Sequence, residues 1–216
     1  MRKNTKIFAI FLLMITSIVI TTFSVPAVQA KSDTDVRYLP IIMYHQILKS
    51  RNGAYIVSPK QLENDIVALK EQGYTTVLLR EVIDFVNGGC SLPKKPIIIT
   101  FDDGYMDNYY NAFPILKDFN MVATIFCITS NLDGTYYLSK EALNEMSSYG
   151  IDIESHTVNH PHLDKMTYNQ QLAELKDSKK TLELITGIEV NSIAYPFGDF
   201  NDDSIKAAKD AGYTLG

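Results

Sequence analysis

Asp102 and Asp103 stand side by side where the apolar run Ile97–Phe101 stops, and Gly104 follows them. A single aspartate there is explained as the cap of a following helix. A pair is not, because like charges at close range raise each other's proton affinity unless a cation separates their roles. Further along, His156 lies at the end of "IDIESHT" (151–157), and His160 follows four residues on. Imidazole is the commonest nitrogen ligand for divalent metals, and one carboxylate with two histidines leaves positions open for water and substrate. The H-x-x-x-H spacing alone is a weak signal, and Thr157 stands where the zincin motif has glutamate. Set beside the paired acids, it points to a divalent-metal site.

Strand-like and helix-like segments alternate around these residues. "LPIIMYH" (39–45), "YTTVLL" (74–79), "KPIIITFDD" (95–103), "MVATIFCI" (121–128), "IDIESHT" (151–157) and "NSIAYPF" (191–197) read as strands, and "YTLG" (213–216) begins another. Ser58 with Pro59 and Gln61 opens a helix that runs to Gly73, and 80–89 is a short helix closed by glycines. Helices are also expected from Tyr105 towards Phe119, with a kink or break at Pro114, and over 139–149. A long helix follows Thr167 and stops near Gly187, and the last covers 202–211. Strands separated by helices make an α/β fold with a parallel sheet, and the regular alternation favours a barrel of β/α units. In such folds reactive groups collect where strands end, which is where both candidate clusters fall.

The first 30 residues have the look of a secretory signal. Arg2, Lys3 and Lys6 precede the apolar stretch Ile7–Val25, and Val28-Gln29-Ala30 offers a small-residue cleavage site. An uncleaved membrane anchor is the other reading. Either places residues 31–216, one domain, outside the cytoplasm. The chain's formal net charge is −5, and its first 30 residues hold bases and no acids, so the rest is more acidic still. That argues against nucleic acid or anionic lipid as partner and suits a neutral substrate. Cys90 and Cys127 show no C-x-x-C spacing and read as two unrelated free thiols.

"TFDDG" (100–104), followed by "SHTVNH" (155–160), resembles the polysaccharide deacetylases of the NodB-homology type, carbohydrate esterase family 4. "MYH" (43–45) and "AYPFG" (194–198) carry the match from about Ile41 to the end of the chain. The resemblance implies a distorted (β/α) barrel of NodB type, with its C-terminal part expected beyond Gly216. It implies Asp102 as general base, and Asp103, His156 and His160 as ligands of a divalent metal, zinc by default. It further implies the backbone N–H of Phe197 as oxyanion donor. Many members of the family carry an arginine where this chain has Ala194. "AYPFG" with an early "MYH" looks like the subgroup that deacetylates poly-β-1,6-N-acetylglucosamine. The family's late histidine, which protonates the leaving amine, would lie after Gly216. His45, Tyr195 and Pro196 are candidates for the pocket wall, and a structural role for His45 is an equal alternative.

The expected function is hydrolysis of the acetamide of N-acetylglucosamine units in an extracellular or cell-wall polysaccharide. Two rivals keep the fold: a glycan-binding protein that retains the metal without turnover, and a cyclic amidohydrolase of small molecules.

Overall fold

The computed structural model describes residues 38–49 and 53–216. The signal or anchor expected over residues 1–30 lies outside the described residues. Five parallel strands form the main sheet: β1 (Ile41–Tyr44), β4 (Thr75–Thr76), β5 (Pro96–Phe101), β6 (Thr124–Cys127) and β7 (Asp152–Ser155). Their order is β1-β5-β6-β7, with β4 paired to the start of β5. Two short strands that the sequence does not announce, β2 (Gln46–Ile47) and β3 (Ile56–Val57), pair separately. Beyond β7 the wall continues through single parallel bridges, Ser155 to Ile193 and Ser192 to Leu215.

Among the described residues six α-helices accompany the strands: α1 (Pro59–Glu71), α2 (Leu79–Val86), α3 (Phe113–Asp118), α4 (Lys140–Tyr149), α5 (Tyr168–Thr186) and α6 (Asp202–Ala211). Their starts follow the capping chemistry of the sequence. Ser58 accepts from Gln61 N at 3.1 Å and Ser139 from Ala142 N at 3.2 Å, each satisfying an orphan N–H of a first turn. None of the helices among the described residues is long and apolar enough to cross a membrane.

β5 is buried along all six residues, as a strand covered on both faces must be. One face packs Ile99 and Phe101 into the main core with Leu116, Ile125 and Leu143. The other places Ile98 with Val77, Leu79, Leu92 and Phe126 in a smaller apolar cluster. Ile98, Phe126, β1 and Leu215 also line an apolar cavity of about 370 Å³, so the described strands leave a gap between β1 and Leu215.

Several expected elements differ. The run 74–79 pairs only at Thr75 and Thr76, because Leu79 already opens α2 and Glu81 turns back to accept from Leu78 N at 2.8 Å. The helix expected from Tyr105 is a π-helix over Asn108–Ala112 followed by α3, with Pro114 in the first turn of α3, where its missing N–H costs nothing. The strands expected at 191–197 and 213–216 amount to the two bridges alone, and Pro196 diverts the first into a 3₁₀ turn, Pro196–Gly198. The segment is instead tied down by Glu154, which accepts from Asn191 N at 2.9 Å and Ser192 N at 2.7 Å. Burial pushes the Glu154 carboxyl up to about 8. Cys90 is exposed and Cys127 buried, and both are free thiols.

Candidate active site

Asp102 directly follows β5, and its N–H donates to Tyr44 O at 2.9 Å, which fixes the strand tip against β1. Asp103 and Gly104 then turn with consecutive left-handed φ values of 72°. For Gly104 that conformation comes without penalty, and the space demands it: a Cβ would meet Cys127 Sγ at 3.0 Å. The turn separates the neighbouring carboxylates in role. Asp102 is 8% exposed, and burial, then the adjacent Asp103 charge, push its carboxyl up to about 7.

His156 follows β7 and is buried. Its Nδ1 lies 2.7 Å from Ala194 O, a carbonyl that can only accept, so the proton sits on Nδ1 and the Nε2 lone pair faces the cleft. Burial holds this imidazole down at about 4, so it is neutral at physiological pH. His160 is also lowered, first by burial. Between them the chain makes a strained turn, with left-handed φ at Thr157 (67°) and His160 (55°). A β-branched residue rarely adopts that region. Thr157 Oγ1 accepts from His160 N at 2.9 Å, and Glu174 on α5 accepts from the backbone N–H of Val158 and Asn159 at 3.0 and 2.9 Å.

These turns bring Asp103, His156 and His160 together, with one ligand atom of each within 4.8 Å of the other two. The imidazole Nε2 atoms are 3.1 Å apart, and Asp103 Oδ1 stands 3.5 and 3.6 Å from them. Ligands bound to one tetrahedral zinc at about 2.0–2.1 Å are separated by about 3.3–3.4 Å, so the three fit one divalent ion. The donor chemistry also fits, with a carboxylate and two neutral imidazoles.

The cleft around them measures about 590 Å³ and is lined by Met43, His45, Tyr55, Asp102, Ala194, Tyr195, Phe197 and Gly198 besides the three. His45 and Tyr195 therefore line the pocket, while Pro196 is buried and is not part of its lining. The lining contains no lysine or arginine among the described residues, and Ala194 offers Asp102 no cation. Phe197 holds a left-handed φ of 60°. Its ring meets His160 at 4.5 Å and stacks on His162 at 4.1 Å, and His162 Nδ1 is 2.7 Å from Asp199 Oδ2. Sequence reasoning missed Glu174 and Asn108, which hold the turns around the site; a capping-type acid on α5 carries no local signature of its distant target.

The sequence profile described as polysaccharide deacetylase matches residues 90–216. The chain belongs to the polysaccharide deacetylase family. The Bacillus subtilis (strain 168) protein YxkH is 39% identical over 178 residues, 82% of this chain and 63% of that protein. The poly-beta-1,6-N-acetyl-D-glucosamine N-deacetylase of Staphylococcus epidermidis is 34% identical over 176 residues, 75% of this chain and 61% of that protein. The chain thus spans less than two thirds of the length of these curated relatives. The Streptococcus pyogenes deacetylase PplD in complex with acetate superposes with a TM-score of 0.79 at 33% identity, over 82% of both chains. The α/β architecture with its parallel sheet is that of this family.

Proposed function

We propose that this chain is a metal-dependent N-deacetylase that acts outside the cell on N-acetylglucosamine units of a polysaccharide, releasing acetate and leaving a free amine. The observation that carries the reading is the position of Asp102. It lies in the same cleft as the Asp103–His156–His160 cluster and is not one of the three clustered ligands. A divalent cation such as zinc, held by those three, would polarise the acetamide carbonyl and acidify water.

The chain's own residues supply the rest. Asp102, raised towards neutrality by burial, takes the proton of the attacking water, a task suited to a base of that strength. The Ala194 carbonyl fixes the His156 tautomer, and Glu174 fixes the turn that presents His160. The backbone N–H of Phe197, a residue of the cleft lining, would donate to the developing oxyanion. Cleavage of the C–N bond then gives acetate and an amine that takes up a proton. Poly-β-1,6-N-acetylglucosamine is the first substrate to try, supported by the name of the staphylococcal relative.

The test is acetate release from N-acetylglucosamine oligomers of defined linkage by the zinc-loaded protein. Release abolished by chelation and by Asp102→Asn is expected. Glycan binding without acetate selects a non-catalytic binder, and turnover of small cyclic amides alone selects the amidohydrolase.

A further inference from the structure

Two concavities continue the catalytic cleft. The first, about 210 Å³, shares His45, Tyr55 and Asp103 with the cleft and adds Tyr105. The second, about 400 Å³, shares Gln46 with the first and is walled by Met106, Tyr110, Asn111 and Tyr136. Along this path Tyr55 and Tyr110 are each 66% exposed and Tyr136 is 69% exposed, although tyrosine rings ordinarily bury much of their surface. Tyr105 lies between them, stacked on Tyr137 at 5.1 Å and paired with it through an antiparallel bridge.

The groove is built on rigid backbone. β2 is clamped to the π-helix: Asn108 Nδ2 donates to His45 O and Asn111 Nδ2 to Ile47 O, both at 2.7 Å, while Asp107 Oδ1 accepts from Ile47 N at 2.6 Å. Tyr110 stands edge-on to Tyr109 at 5.3 Å, and Tyr136 O accepts from Met106 N at 2.8 Å. A π-helix beside a cleft is a common mark of a functional site.

We propose that this groove binds the sugar units that flank the one being deacetylated, with Tyr55, Tyr110 and Tyr136 as stacking platforms for a neutral, N-acetylated glycan. The inference rests on the deacetylase reading for its occupant, since a polymer presented at the cleft must continue out of it. Chemistry favours that occupant. A pyranose offers a C–H face to an aromatic ring and hydroxyl and amide groups to the phenol oxygens, Gln46 and Thr135, which line the same path. Among the described residues neither concavity is lined by a lysine or arginine, which suits an uncharged polymer.

Acetate release would be compared on the β-1,6-linked N-acetylglucosamine dimer and hexamer, for the zinc-loaded wild type, Tyr110→Ala, Tyr136→Ala and the double variant. Wild type should prefer the hexamer. The double variant should lower the hexamer-to-dimer ratio of kcat/KM about tenfold, chiefly through KM, as lost ground-state binding does. A ratio unchanged in the double variant overturns the groove, as does a wild type indifferent to length. If the wild type releases no acetate at all, the deacetylase reading fails, and calorimetric titration with the hexamer decides the groove separately. Binding weakened about tenfold in the double variant retains it, and equal or absent binding overturns it. Both side chains are solvent-exposed, and matching circular dichroism and melting curves establish that the variants fold.

Discussion

Asp102 and Asp103 show how one peptide bond can separate two chemistries. Asp103 turns into a left-handed conformation towards the histidines, while Asp102 remains at the buried strand tip with a proton affinity raised by desolvation and by its neighbour. Substitution should expose the division. Asp103→Ala is expected to lose the metal, read as metal content after desalting, whereas Asp102→Asn keeps the metal and loses about 10²–10⁴-fold in acetate release. Metal retained in the first variant, or lost in the second, contradicts the assignment. The same residue sets an acid limb. The base must be ionised, so kcat/KM should fall as pH drops through its pKa. A bound cation moves that midpoint to about 7 or below, because a nearby positive charge favours the carboxylate. A rate that rises on acidification contradicts this. Asp102, Asp103, His156 and His160, which meet in the cleft, were legible in the sequence, since their types and spacing carry the signal at strand ends. Glu174 and Asn108 were not, because their bonds reach 16 and 63 residues along the chain and nothing local announces them.

Elements position this chemistry through their ends rather than their lengths. The tips of β5 and β7 lead into turns with left-handed residues, and the two tips are linked because Gly104 packs on Cys127, which pairs with Ser155. Gly104→Ala is therefore expected to strain the turn and collide with β6, costing about 1–3 kcal/mol in urea unfolding. Metal affinity should weaken with it because Asp103 is displaced, and unaltered affinity argues that the turn does not set the ligand's place. At this scale the sequence was legible where burial is two-sided or a cap is local: β5, α1, α4 and α5 stand close to their expected bounds. It was illegible where pairing is minimal. "YTTVLL" and "NSIAYPF" have β-branched and apolar residues enough for strands, yet a following helix start and a proline turn claim most of each. Propensity describes a residue's fit to a sheet and not whether a partner strand is present.

Across the whole domain, the inward side of the sheet carries more than the metal ligands. Asp152 and Glu154 alternate along β7 and so share a face, which His156 continues just past the strand end, and both acids are buried. Arg80, at the start of α2, pairs with Asp152, but burial outweighs that guanidinium and still pushes the carboxyl up to about 6. A raised carboxyl pKa favours the fold most fully below its unfolded value, and the benefit fades as pH rises through about 6. Removing the cation should sharpen that trend. Arg80→Met is expected to destabilise by about 2 kcal/mol at pH 8, less than a wholly buried pair would because Arg80 is partly exposed, and by clearly less at pH 5, where Asp152 is neutral. Equal losses at both pH values, read from urea midpoints, contradict an ionised Asp152 at the higher one. The barrel-like order of strands, the buried acids and the cleft at the strand tips together place one claim above the others: Asp103, His156 and His160 share an ion that Asp102 does not bind. Anomalous diffraction at the zinc edge, from crystals grown with zinc, tests it most directly. The account predicts one peak within about 2.0–2.2 Å of Asp103, His156 and His160, with Asp102 outside that sphere. A peak that includes Asp102, or one that misses the two histidines, contradicts it.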